Sequence, residues 1–420
     1  EITMIGNEPY LPYHRPPLSK AFLSNEKTID ELMIRTPEFY HKHQINIMCH
    51  RNVVQIDRIQ QTVKLDDGQQ ITYDQLAICT GARVRKLSVE GHQLSGVFYI
   101  KTIDDVIHLK KHMCTAQRAV VIGGGYIGLE AAAVLKHHGL AVTVLEAEER
   151  ILKRVTAPEL SEFYTRIHYE EGVCIHVHKS VEKLVGTNGA VKQVVCQDGT
   201  IFDTDLVIVG IGVLPNIELA QQAGLKVEQG ICIDAYGQTS DQRIVAAGDC
   251  AQYFSQHYQR SVRVESIPNA NDQAKIAAST LCGDTKTFDS LPWFWSDQYD
   301  LKLQIAGLNN GYDQVYVRGS LALGRSLAIF YYKQNRMIAA DCINRPQEFM
   351  LSKRVISSGI NLDPIKLTDD TTPISILLEN SIDSYDIKSC KSYLSAPEKG
   401  ISATEIIKNM VGCSLPKTGC

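Results

Sequence analysis

The chain has 420 residues, 43 basic and 47 acidic side chains and a net charge of −4, so it needs more than one hydrophobic core and carries no charge excess pointing to nucleic acid or an anionic membrane surface. Its 12 cysteines show no C-x-x-C pair and no metal-type clustering with histidine, which leaves reduced thiols in a cytoplasmic protein as the simplest reading and gives no metal site. The longest apolar runs, such as Leu206–Leu214, are strand-length and fall short of the ~20 residues that span a bilayer.

In chain order, Ile2–Ile5 reads as a strand with Glu8 after it, the pattern of the second strand and ribose-binding acid of a dinucleotide unit. On that reading the unit's first strand, glycine turn and helix, roughly 30 residues, would lie upstream of Glu1. An edge strand ending in a solvated acid fits the same residues. Pro16 and Pro17 suit the first turn of a helix over LSKAFL, where a missing N–H costs nothing, and Lys20 then projects from that turn. From Glu38 to Thr80 short strands alternate with turns (INIMCH, NVVQIDRI, TVKL, ITYDQLAICTGA), and Asp67-Gly68 is a hairpin signal. Thr80-Gly81-Ala82 ends the last of these with small residues that let backbone approach a ligand, though a plain turn reads the same way. Tyr99–Met113 is a polar connecting helix.

Arg118–Glu146, RAVVIGGGYIGLEAAAVLKHHGLAVTVLE, is a β-α-β unit. Gly123, Gly125 and Gly128 fill a G-x-G-x-x-G frame: the first for the tight turn, the second for close approach of backbone to a pyrophosphate, the third for helix-on-strand packing. The helix that starts there offers free N–H groups and the positive end of its dipole to an anion. Glu146 closes the second strand, where a carboxylate accepts from a ribose 2′-OH and repels a 2′-phosphate, so the unit is expected to select NAD(H). Beyond it come a proline-initiated helix, Pro158–Glu170, and the strands VCIHVH, VEKLVG, VKQVVCQDGT and FDTDLVIVGIG, ending at GVLPN. Residues Gly230–Asp249 read as strand, turn and strand running into Gly248-Asp249, an acid at a strand end suited to a sugar-like hydroxyl. Asn269–Thr280 is an amphipathic helix starting near the same place. Pro292–Pro364 is α+β in pattern, with strands in PWFWSDQYDLKLQIAGL, QVYVRG, LAIFYYK and RMIAADCIN and a helix over Gln347–Ser358. Asn380–Cys420 carries no assignable function.

By Gly248-Asp249 the order of parts resembles the two-dinucleotide flavoprotein reductases, and more closely the ferredoxin reductases of the putidaredoxin-reductase type that serve bacterial oxygenases. RPPLSK (Arg15–Lys20), TGA, GGGYIGLEAAA, GIGVLPN, A-x-GDC, ES-x-x-NA-x-x-QA and FWSDQ fall in that family's order and cover residues 1 to about 375. The resemblance implies an α/β fold with two Rossmann-like domains and a C-terminal α+β domain. The domains would run 1–98 (FAD, first part), 99–216 (NAD), 217–285 (FAD, second part) and 286–375 (C-terminal), with 376–420 as a tail. It implies FAD and NAD as cofactors, NADH as electron donor and an iron–sulfur ferredoxin as partner. Its cofactor-binding residues would be Glu8, Arg15, Lys20, Thr80, Gly81, Ala82, Gly123, Gly125, Tyr126, Ile127, Gly128, Glu146, Arg154, Gly212, Gly248, Asp249, Glu265, Ser266, Ile267, Asn269 and Trp295. Among them Glu8 would lie on the FAD adenosine ribose, Thr80–Ala82 against the cofactor, Asp249 on the ribityl chain and the Asn269 helix toward the flavin. Lys20 and Glu130 resemble the family pair beside flavin and nicotinamide, acting electrostatically, and Trp295 the aromatic on the acceptor side. Glu130 is also where an acid favours a helix dipole in any case. Lys302, Arg318, Arg325, Lys333 and Arg336 are candidates for meeting an acidic ferredoxin. Two competing readings share the fold: a cysteine-dependent NADH oxidase or disulfide reductase, and a redox-responsive binding protein of the apoptosis-inducing-factor kind. The first needs a low-pKa thiol at the flavin. Pro9–Leu23, where disulfide reductases carry their cysteine pair, has none, and the nearest cysteine, Cys49, falls in a strand-like run and reads as core.

Overall fold

The computed structural model describes residues 1–374, 376 and 377; the tail beyond 377 lies outside the described residues. Glu1–Asp370 forms one compact unit, and a second begins at Thr371.

Strand Ile2–Ile5 pairs in parallel with Ile45–Met48. Val53–Asp57, Thr62–Leu65 and Gln70–Thr72 make an antiparallel sheet whose last turn is the expected hairpin, with Gly68 at φ +89°. ITYDQLAICTGA does not run as one strand. It breaks into Gln70–Thr72, Leu76–Ile78 and Ala82–Val84, each with a different neighbour. Leu76–Ile78 pairs in parallel with Ile244–Ala246, so the chain leaves this sheet and returns to it after the glycine-rich unit.

The centre is a parallel five-stranded sheet in the order Cys174–His176, Ala141–Leu145, Arg118–Ile122, Leu206–Val209, Val97–Phe98. Its middle strands are apolar along their length because both faces are covered. Helices Ile103–Met113, Tyr126–His137 and Pro158–Glu170 share one core with this sheet, while Leu184, Val191 and Val194 of an antiparallel three-stranded sheet pack with Val120, Ile122 and Val207. Thr102 and Asp105 cap the first of these helices reciprocally.

The last layer is an antiparallel sheet ordered Trp293–Gln298, Leu301–Gly307, Arg336–Ile343, Leu327–Lys333, Gln314–Gly319, followed by the helix Pro346–Ser358, which ends at a left-handed Gly359. PWFWSDQYDLKLQIAGL is a hairpin turning at Tyr299 (φ +57°). Leu301, Leu303 and Tyr331 of this sheet join the core of the parallel sheet and of Leu18, Phe22 and Leu23. That shared core lets side chains from distant segments meet.

Further local expectations change: the helix expected over Tyr99–Met113 begins at Ile103, after its Thr102 cap, and the segment expected as short strands from Glu38 opens with the helix Pro37–Lys42. Pro16–Ser19 is a single 3-10 turn and Lys20 is its C-cap, its N–H bonded to the Pro17 carbonyl, so Lys20 leaves the end of the turn rather than its start. The helix expected from Asn269 starts at Ile267, with Ser266 as N-cap and Pro268 in its first turn.

Candidate nucleotide and redox site

The glycine frame works as its spacing requires. Gly123 has φ +105°, and a Cβ on it would come 2.5 Å from the Gly210 carbonyl oxygen; one on Gly128 would come 2.2 Å from the Gly123 oxygen. Gly125 has nothing within 4 Å of its virtual Cβ, so backbone faces open space where a phosphate would approach. The Glu146 carboxylate accepts from the backbone N–H of Gly124 at 2.8 Å and of Glu148 at 2.9 Å, pinning the turn. Tyr126 opens the helix with its ring against Phe294 and its hydroxyl buried without a hydrogen-bond partner; Ile127 is partly exposed beside it and Arg154 is exposed.

Glu130, one turn further on, is 1% exposed and is the point where three segments meet. Its Oε1 lies 2.9 Å from Lys20 Nζ and accepts from Ser296 Oγ at 2.7 Å; its Oε2 accepts from Ser19 Oγ at 2.6 Å. A carboxylate in so dry a place is held by a full set of donors. Behind Ser296 the network continues: Gln298 Nε2 donates to Ser296 Oγ, His168 Nε2 meets Gln298 Oε1 at 2.9 Å, and Tyr299 OH meets His168 Nδ1 at 2.9 Å. Burial pushes His168 down to about 4. Trp295, between Phe294 and Ser296, is half-buried and stacks at 5.7 Å on Trp293, which Lys353 covers at 5.1 Å.

A second charged group is built around Glu8, Arg15 and Asp249. Glu8 accepts from Arg15 and from Tyr13 OH, each at 2.5 Å, and Arg15 also donates to the Lys101 carbonyl. Burial lowers the Lys101 ammonium, opposed by the fields of Asp249, Glu265 and Glu8. Burial likewise raises Asp249, with Lys101 pulling it back. Residues expected to share one ligand thus share one field. Arg263 ties this group together, donating to the Asp249 carbonyl at 3.0 Å and pairing with Glu265 at 2.7 Å. Gly248 (φ +84°) donates to Gln273 Oε1, and beside it Ser266 Oγ caps the helix by accepting the Asn269 N–H. Asn269 Oδ1 and Gln273 Nε2 are buried without partners. Thr80 Oγ1 donates to the Asn216 carbonyl and Asn216 Nδ2 returns a bond to Thr80; Ala82–Val84 pairs with Val213–Pro215, joining TGA to GVLPN. Gly81 and Gly212, both with positive φ, face open space.

Sequence reasoning missed Ser19, Ser296, Asp297, Lys101 and His168. Ser296 and Asp297 lay inside FWSDQ, where the alternation of a strand that places Ser296 inward was the available signal; nothing local marked Ser19, Lys101 or His168. Of the five basic residues proposed for a partner, Arg318 is buried against Glu348 and Arg325 is bound to Glu171 and Asp300, leaving Lys302, Lys333 and Arg336 exposed. Cys79, next to Thr80, reaches solvent yet is enclosed enough that burial pushes its thiol up to about 11, the wrong direction for a nucleophilic thiolate. Burial also raises Cys49.

The parallel sheet with its glycine turn and the acid closing its second strand define a dinucleotide-binding α/β fold. Residues 1–274 match the pyridine nucleotide-disulphide oxidoreductase family and residues 293–378 the reductase C-terminal family. Putidaredoxin reductase of Pseudomonas putida is 42% identical over 382 residues, 90% of each protein. Rhodocoxin reductase of Rhodococcus erythropolis is 39% identical over 384 residues, 91% of this chain and 90% of that one. The crystal structure of a covalent putidaredoxin reductase–putidaredoxin complex matches with a TM-score of 0.88 at 41% identity, covering 91% of this chain and 92% of that one. The chain belongs to the pyridine nucleotide-disulphide oxidoreductase family.

Proposed function

We propose that this chain is an NADH-dependent FAD flavoprotein reductase that passes electrons to a small iron–sulfur ferredoxin. The observation that carries the reading is the buried Lys20–Glu130 pair, built jointly by the N-terminal segment, the glycine-turn helix and the C-terminal sheet. Relatives named as putidaredoxin and rhodocoxin reductases support the activity and the acceptor class.

The residues present fit both cofactors. Asn269 Oδ1, in the first turn of the helix, and Gln273 Nε2, one turn further on, are an acceptor and a donor without partners among the described residues, as an amide-edged ring would require. Open space at Gly81 and Gly212 admits a flat group against backbone. Bound FAD supplies the centre that takes a hydride and returns electrons singly. The chain's own part is placement. Residues 1–98 and 217–285 would hold FAD, Glu8 as acceptor for its adenosine ribose and Asp249 for its ribityl hydroxyls, while Arg15 and Lys101 would balance the charge. The Ser266-capped helix would offer the positive end of its dipole to the flavin. Residues 99–216 hold NADH: Gly125 and the helix start meet the pyrophosphate, and Glu146 keeps acceptor capacity for a ribose 2′-OH while repelling a 2′-phosphate. Lys20 and Glu130 orient both ring systems. The sheet formed by residues 293–319 and 327–343 would cover the flavin, and Trp295 would serve the acceptor side.

The test is turnover of the FAD-loaded protein. NADH is expected to drive ferredoxin reduction that falls with rising salt, because Lys302, Lys333 and Arg336 steer an acidic partner, while a small neutral acceptor is reduced at a nearly constant rate. Trp295→Ala is expected to impair transfer to ferredoxin more than NADH oxidation with ferricyanide. Equal loss of both activities with release of flavin would make Trp295 a packing residue.

A further inference from the structure

The balance of the reaction leaves one proton to dispose of. NADH gives up a hydride, two electrons and a proton together, and becomes NAD⁺; two one-electron acceptors take the electrons and nothing else. One proton per NADH must therefore travel from the buried site to water.

Polar routes lead away from Glu130 in two directions. The inner one runs through Ser296, the Gln298 amide and His168 to Tyr299. Its donors point toward Glu130, and the Gln298 amide interrupts it, since a proton taken up by the amide oxygen is not released from the nitrogen of the same group without an unstable tautomer. Ser19, the other hydroxyl on Glu130, is itself buried. The outer route is short. Lys20 Nζ lies 2.9 Å from Glu130 Oε1 and 4.0 Å from Asp297 Oδ2, and the Asp297 side chain is 42% exposed where that of Glu130 is 1%. A bridging water or a small rotation of the exposed carboxylate spans the last ångström. Ser296 and Asp297 are neighbours on one strand, so a single segment both fixes Glu130 and opens the pair to solvent.

We propose that Asp297 takes the reaction's proton from Lys20 and delivers it to water, a role that rests on the one-electron-acceptor chemistry proposed above. The Lys20 ammonium gives one N–H proton to the Asp297 carboxylate as the proton from the redox site takes its place on nitrogen; Asp297 then loses its proton to water. Lys20 and Asp297 end the cycle charged as they began. The phenols of Tyr126 and Tyr164 lie in the field of Glu130, and Tyr164 also in that of Asp297. Burial raises both well above the ordinary tyrosine value, so neither competes as an acceptor.

The test uses the FAD-loaded protein, NADH and ferricyanide, an acceptor that takes single electrons and needs no docking surface, with a pH-indicator dye following proton release after rapid mixing. In Asp297→Asn, proton release and reoxidation are expected to slow at least tenfold more than reduction by NADH does, with a larger slowing in D₂O, and Asp297→Glu is expected to recover most of the rate. Proton release at the wild-type rate in Asp297→Asn overturns the proposal. A turnover-free measurement accompanies it: in a melting-temperature cycle of Lys20→Gln, Asp297→Asn and the double variant, the double loss is expected to fall short of the sum. Strict additivity removes the contact on which the route depends. Wild-type protein that oxidises NADH with a two-electron acceptor but passes no electrons to ferricyanide would overturn the underlying electron-splitting reading itself.

Discussion

Glu130 and Glu146 stand on the same β-α-β unit and are held in opposite ways. Glu146 accepts from the backbone N–H groups of Gly124 and Glu148, both inside its own motif. Glu130 accepts from Ser19, Lys20 and Ser296, none of which belongs to that motif. One acid is placed by local geometry and the other by tertiary assembly. Loss of the first should therefore be felt mainly in nucleotide binding, and loss of the second mainly in the fold.

Glu130→Ala should give the largest effect. It strands a lysine and two hydroxyls around an empty, dry space, a cost of about 3–5 kcal/mol for breaking a buried pair. Urea unfolding is expected to show that loss, with Glu130→Gln milder because it keeps the volume and one acceptor oxygen. A loss below about 1 kcal/mol in the Ala variant would mean that the pair behaves like an exposed one and that the contrast with Glu146 is wrong.

His168, at the far end of the same network, sharpens the contrast through pH. Burial holds its folded-state value near 4, below its ordinary 6.5, so its neutral form stabilises the fold fully above 6.5 and that contribution is lost as pH falls toward 4. That depression corresponds to roughly 3 kcal/mol. Buried Asp341 has the opposite sign: burial raises it to about 7 against the opposing Tyr331 hydrogen bond, so its contribution is lost as pH rises from its ordinary 3.8. The useful quantity is therefore a difference. The stability deficit of His168→Gln relative to wild type should shrink by up to that amount between pH 6.5 and 4, and a deficit constant across the window would show that His168 is not kept neutral.

Glu146→Ala should have the smallest effect on folding and a clear one on NADH. Its KM is expected to rise about tenfold, ~1.4 kcal/mol, with kcat less affected and discrimination against NADPH reduced. If the unaltered protein uses NADPH as readily as NADH, the ribose assignment of Glu146 fails.

The same contrast explains what was legible in the sequence. Period, glycine spacing and proline placement are local, so the Pro158–Glu170 helix begins and ends where expected and the Gly123–Gly128 turn has the strain its spacing implies. Lys20 was misplaced within its own segment because two prolines are compatible with a 3-10 turn as well as an α-helix. Pro268 at N2 lies within the first turn at which a missing N–H is tolerated, which is why the helix expected from Asn269 begins two residues earlier, at Ile267. Ser19, Lys101 and His168 left no mark because their significance lies in partners far away in the chain. The basic residues offered for steering failed in part for the same reason: Arg318 and Arg325 are consumed by acids that spacing does not reveal.

The three-segment construction of the Glu130 pocket also sets when it can exist. Ser19 precedes Glu130 by 111 positions and Ser296 follows it by 166. At ribosomal rates of roughly 5–20 residues per second, the glycine-turn helix waits on the order of ten to thirty seconds for the strand that completes its buried acid. Until then Glu130 has Ser19 and Lys20 within the synthesised chain but lacks the Ser296 hydroxyl. Closure of this pocket therefore coincides with completion of the C-terminal sheet, so a chain cut short before Ser296 carries the glycine frame and the Lys20–Glu130 partners without the donor that completes the buried acid.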